Sequence, residues 1–114
     1  MSLTHIEALE QDITTANASV SLGNTLDRLK KNKDFNTIIV KGFFEVEAIR
    51  LVHLKASPSM QTKESQDSII AQIDAIGSLS GYLDTIILRA RMAQRTLEDA
   101  SEQLSEFYSE GESE

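Results

Sequence analysis

Chemistry needs reactive groups held together, and this chain of 114 residues offers few of them. It has two histidines, His5 and His53, and no cysteine. His5 falls in what should be a fraying first helical turn. His53 has Arg50 three residues before it, one turn away on a helix. A cation in that place discourages metal binding, so a partly exposed helical histidine is the plain use. Glu45 and Glu47 flank Val46 and point to different helix faces, so they do not make an acid/base pair by spacing. Glu47 and Arg50 are helical neighbours, and a structural ion pair is their default role. No HExxH, DxDxDG or GxxxxGK[ST] pattern occurs, and the glycines are too scattered to cradle an anion. The residues therefore point to no catalytic group, no metal site and no cofactor, and a non-enzymatic protein is expected.

Two basic clusters could meet phosphate: Arg28, Lys30, Lys31 and Lys33, with Lys41 further on, and then Arg89, Arg91 and Arg95. The first has Asp27 and Asp34 beside it, and the second has Asp84, Glu98 and Asp99. Neither has aromatics near it on which bases could stack. Solvated or ion-paired faces are expected, with no nucleic acid. The formal net charge of −7 reinforces this. Residues 1–57 are neutral, and seven carboxylates follow Arg95, the last basic residue. An acidic end repels nucleic acid and anionic lipid. Attraction between the basic cluster near residue 30 and this acidic end, from one subunit to another, is a further expectation.

The elements that would carry these groups are helical. Aromatics are 5% of the chain and Trp is absent, so the core must be mainly aliphatic. The length supports one domain with a modest core. Thr4 to Glu7 fits a capping box opening a first helix, about residues 4–31. Ile6, Leu9, Ile13, Ala16 and Val20 step by three and four along it. A break near residues 17–24, around Gly23, is an alternative to one continuous helix. Asn32 suits a left-handed helix end. Asp34 should cap a short second helix, about residues 35–41, which Gly42 would stop. A third helix, about 43–55, carries Phe44, Ala48, Leu51 and Leu54 on one stripe. Val46, Ile49 and Val52 widen that stripe, which suits the middle of a bundle. Pro58 then breaks the chain.

A fourth helix, about residues 62–107, is the dominant feature. Leu79, Leu83, Ile86, Ala90, Ala93, Leu97, Ala100, Leu104 and Phe107 alternate steps of four and three without a fault. This is a heptad seam, extended backwards through Ile76 and Ile69 with Gln72 as a polar exception. At about 1.5 Å per residue the helix would be roughly 60 Å long. It must protrude, bend, or pair. Gly77 and Gly81 are expected to mark a bend or a flat patch for close helix packing. Residues 109–114 contain no apolar side chain and read as a disordered acidic tail. The predicted architecture is one all-α domain over residues 1–108, either a small helical bundle or a helical hairpin with this long amphipathic C-terminal helix. No run approaches a membrane span and no signal peptide is visible, so the cytoplasm is expected.

The segment from Asn32 to Val52 also resembles a family of small helical proteins encoded among the head and virion genes of tailed bacteriophages. The recurring pattern is carried here by Asn32, Asp34, Phe35, Ile38, Ile39, Gly42, Phe43, Phe44, Glu47, Ala48, Arg50, Leu51 and Val52. A proline loop follows, then Ile76-Gly77, Tyr82-Leu83 and Thr85-Ile86. The resemblance spans roughly residues 26–100, and its motif is structural rather than catalytic. It implies a virion, capsid-associated or assembly accessory protein in the host cytoplasm or the virion. The seam from Leu79 to Phe107 would then bind a second copy or another phage structural protein. The competing expectation is a small acidic regulator of a host or phage enzyme. That reading predicts a monomer, with the first helix folded back along the seam as an intramolecular hairpin.

Overall fold

The computed structural model describes residues 2–112, which form three helices, with no strand among them. We label them α1 (Leu3–Lys30), α2 (residues 33–56) and α3 (Lys63–Glu112). The chain divides into two compact units, Met1–Leu26 with Thr85–Glu114, and Asp27–Asp84.

In the first unit α1 lies along α3 as an antiparallel helical hairpin. α1 begins one residue before the expected capping box. Ser2 is its cap, with Oγ accepting from the His5 amide at 3.1 Å. The helix then runs unbroken through residues 17–24. Gly23 explains how. It is buried against α3, and a Cβ added to it would lie 2.5 Å from the Ala90 Cβ. The two backbones are therefore as close here as glycine permits. Outward from this contact both helices carry apolar residues at three- and four-residue steps: Val20, Ala16, Ile13, Leu9 and Ile6 on α1, and Ala93, Leu97, Ala100, Leu104 and Phe107 on α3. Leu9, Ala16, Leu26, Ile86, Ala93 and Ala100 are the buried side chains.

The second unit is built around α2. The turn before it is closed by Lys31 and Asn32 amides donating to Arg28 and Leu29 carbonyls. Asn32 has extended rather than left-handed geometry (φ −73°, ψ 126°). Its side-chain oxygen accepts from the Phe35 amide at 2.9 Å, so Asn32 is the N-cap and not Asp34. The Asn36 amide group donates back to the carbonyls of Lys30 and Asn32, tying the turn together.

Gly42 does not stop the helix. α2 continues through it, and from Asn36 to Glu47 it is a π-helix, flanked by α-helical turns. Phe35, Val40, Phe44 and Ala48 are spaced five, four and four. An α-helix would scatter them, whereas the wider π turn keeps them near one face. Reading the segment at the α period broke one helix into two. Gly42 has a use inside the π turn, since a Cβ there would lie 3.0 Å from the Thr37 carbonyl oxygen.

Leu51, 1% exposed, is the centre of this unit's core, with Ile69 and Ile76 of α3. Phe43, Phe44, Ala48, Leu54, Met60 and Ile73 pack around them. The linker forms a 3-10 turn over Pro58–Met60. The Gln66 side chain of α3 bridges it, donating to the carbonyls of Lys55 at 2.9 Å and Met60 at 2.7 Å. Thr62 caps α3, accepting from the Ser65 amide at 3.2 Å. At its far end α3 extends past Phe107 to Glu112, so residues 109–112 are helical, while residues 113–114 of the expected tail lie outside the described residues.

Candidate functional site

The groups with reactive chemistry do not converge. His5, His53 and Glu45 are all exposed. Among the described residues, no cluster of three His, Cys, Asp or Glu side chains could hold a metal ion. Buried side-chain polar atoms without a partner are also absent among them. Glu47 and Arg50 form the expected pair, and it is bidentate: Nε to Oε2 at 3.0 Å and Nη2 to Oε1 at 2.5 Å. The hydrogen bond from Arg50, together with its positive charge, outweighs slight desolvation and holds the Glu47 carboxyl below its ordinary range. Arg50 is raised by the same contact. The pair braces the end of the π segment rather than facing a cavity of catalytic groups.

The basic clusters stay on the surface. Lys30, Lys31 and Lys33 are exposed at the α1–α2 turn, and Arg89, Arg91 and Arg95 are exposed on α3. Within the first unit, a shallow groove of about 260 Å³ runs beside Ala16 and Ala93, with Asp12, Ser19, Arg89 and Thr96 on its walls. Opposite charges share that groove, so it favours neither anion nor cation.

Of the expected interface seam, Ile86, Ala93 and Ala100 are buried and Ala90, Leu97, Leu104 and Phe107 are half-buried on the helix that packs against α1, with Ala90 beside Gly23. The seam did require a partner helix, and α1 offers the matching three-four spacing within reach. Leu79 is 36% exposed and off the buried stripe, while Leu83 is half-buried in the second unit. Gly77 and Gly81 both lie within α3. The helix is continuous through both, and a Cβ on either would meet nothing within 4 Å.

Exposed apolar side chains occur on all three helices, among them Leu22 on α1 and Leu88 and Met92 on α3, and four aliphatic ones lie on α2. Val46, Ile49 and Val52, expected in the middle of a bundle, are 66%, 59% and 60% exposed. Ile38 joins them at 66%. α2 packs on α3 along a single face, the Phe44–Ala48–Leu51 side, so its second apolar face has nothing to cover it. A shallow groove of about 320 Å³, lined by Ile38, Ile39, Gly42, Phe43 and Glu47, adjoins this row. The motif residues therefore divide. Phe43, Phe44, Ala48 and Leu51 build the core, while Gly42 and Glu47 border the open face. A sequence signal for that face existed: α2 carries more apolar residues than one packing face can take.

The class defined by fold and surface is an all-α protein with a helical hairpin and an uncovered aliphatic helix face. No family model, curated protein or solved structure matches the chain. Among the described residues, no helix is long and apolar enough to cross a membrane.

Proposed function

We propose that this chain is a non-enzymatic accessory protein of bacteriophage structure or assembly, acting by helix-to-helix contact with protein partners. The contact face is on α2, not on the long seam. The observation that carries this is the four aliphatic side chains Ile38, Val46, Ile49 and Val52, 59–66% exposed on α2. Exposed apolar rows of this kind mark interaction surfaces. The same helix carries the motif resembling phage head and virion proteins, which supports the phage setting and a location in the host cytoplasm or the virion.

The test is mass spectrometry of procapsids and mature particles from a phage encoding the chain. Wild type should be present in one of them, and the Ile49→Lys/Val52→Lys variant, with unchanged circular dichroism, should be lost from it. Absence of the wild-type chain from both forms would overturn the reading.

A second reading, a small acidic regulator of an enzyme, draws on the hairpin. Residues 1–26 and 96–114 contain no Lys or Arg, and Glu7, Glu10, Glu98, Glu102 and Glu106 lie on its two helices. An intramolecular hairpin is also what that reading expected. Absence from particles would favour it.

A further inference from the structure

The open face of α2 is self-complementary about its own middle, and the geometry points to a second copy of this chain as its occupant. This rests on the reading of α2 as a protein-contact face and names the partner. Ile38 and Val46 lie four residues either side of Gly42, and both are 66% exposed. Lys41 and Glu45 lie two residues either side of Phe43, and both are exposed. Two α2 helices crossing antiparallel near Gly42 and Phe43 therefore place Ile38 of each copy against Val46 of the other. The same crossing brings Lys41 of each copy level with Glu45 of the other, on the same flank. A two-fold contact requires this arrangement, in which each residue meets a complement from the same patch. A parallel two-fold crossing would instead put the two Lys41 side chains on opposite flanks of the contact and form no Lys41–Glu45 pair.

Gly42 suits the crossing point. It lines the open groove with Ile38 and Phe43 and brings no side chain to hold the second helix away. Glu47 beside it is already neutralised by Arg50, so no unpaired charge is carried into the contact from that side. The acidic hairpin end would repel its own copy, and the seam of α3 is filled by α1. A contact one helix wide falls near or below about 1,200 Å² in total, the range of weak and transient complexes. The dimer is thus a weak one, with dissociation in the micromolar-to-millimolar range.

Sedimentation equilibrium of the full chain, at loadings up to about 1 mM, reads this directly. A concentration-dependent monomer–dimer equilibrium is expected. Val46→Glu should abolish it, and Leu88→Glu, on exposed α3 surface, should leave it unchanged. Lys41→Glu and Glu45→Lys should each weaken it about tenfold, and the double exchange should restore it to within about threefold. All four positions are exposed, so circular dichroism should stay constant. A monomer at every concentration overturns the proposal, as does a dimer indifferent to Val46→Glu or a double exchange as weak as either single one. A monomer that still enters phage particles would sink the second copy while leaving the contact-face reading intact.

Discussion

At the residue scale, glycines with the same helical cost have opposite roles. A Cβ on Gly23 would collide with Ala90 of α3, while a Cβ on Gly77 or Gly81 would meet nothing within 4 Å. Gly23→Val should destabilise the protein by about 1–3 kcal/mol, because the added carbons force the helices apart. Ala90→Gly in the same chain should recover part of the loss, since it removes the atom that the new side chain meets. Gly81→Ala should instead raise stability by about 1 kcal/mol, from helix propensity alone. Urea denaturation measures all three. The Glu47–Arg50 pair makes a separate prediction. Its folded carboxyl titrates below the unfolded value, so its contribution is present above the ordinary carboxylate range. That contribution fades as pH falls through the lowered value. Both side chains are solvent-accessible, which keeps the effect small. In a carboxyl-carbon NMR titration, Glu47 should move to higher pH in Arg50→Gln.

At the element scale, α2 shows where sequence and structure part. Its helical character was legible, and so was the stripe through Phe44, Ala48, Leu51 and Leu54. Its continuity was not. Asn32 and Asp34 are both competent caps, and the choice between them depends on the turn geometry that sets Asn32 extended. Gly42 resembles a stop because most helix-ending glycines do, yet it sits inside a π turn that no local signal announces. The buried stripe of α3 through Ile86, Ala93 and Ala100 was legible, whereas Leu79 lies off it, and periodicity cannot say which helix fills it. Deleting methylenes on the two faces of α2 should separate their roles. Leu51→Ala, at 1% exposure, should cost about 2–5 kcal/mol. Val52→Ala, at 60% exposure, should fall within about 0.5 kcal/mol of wild type. Thermal melts compare the two.

At the scale of the whole molecule, net charge is divided between the units. Asp27–Asp84 carries eight basic and eight acidic residues, whereas Met1–Leu26 with Thr85–Glu114 carries three and ten. The neutral unit holds the uncovered aliphatic row, so contact there is not opposed by net charge of its own. The acidic unit is where the seam is consumed. Leu97→Asp therefore has a different expected effect from the loss of an oligomer. It should place a carboxylate inside the hairpin and cost about 2–4 kcal/mol of stability. Any dimer formed through α2 should survive in conditions where the chain stays folded. Hydrogen exchange would show the damage as faster amides in α1 and in α3 beyond residue 85.

The π segment also constrains how this chain can change length. Each residue removed between Asn36 and Glu47 would rotate everything after it about the helix axis by roughly a quarter-turn or more. Leu51 would swing away from Ile69 and Ile76, and Ile49 or Val52 would take its place. Insertions and deletions should therefore be purged from this stretch, while conservative exchanges at single positions are accepted. In descendants of this sequence, the spacing from Phe35 to Leu51 should be more persistent than the identity of the residues that occupy it.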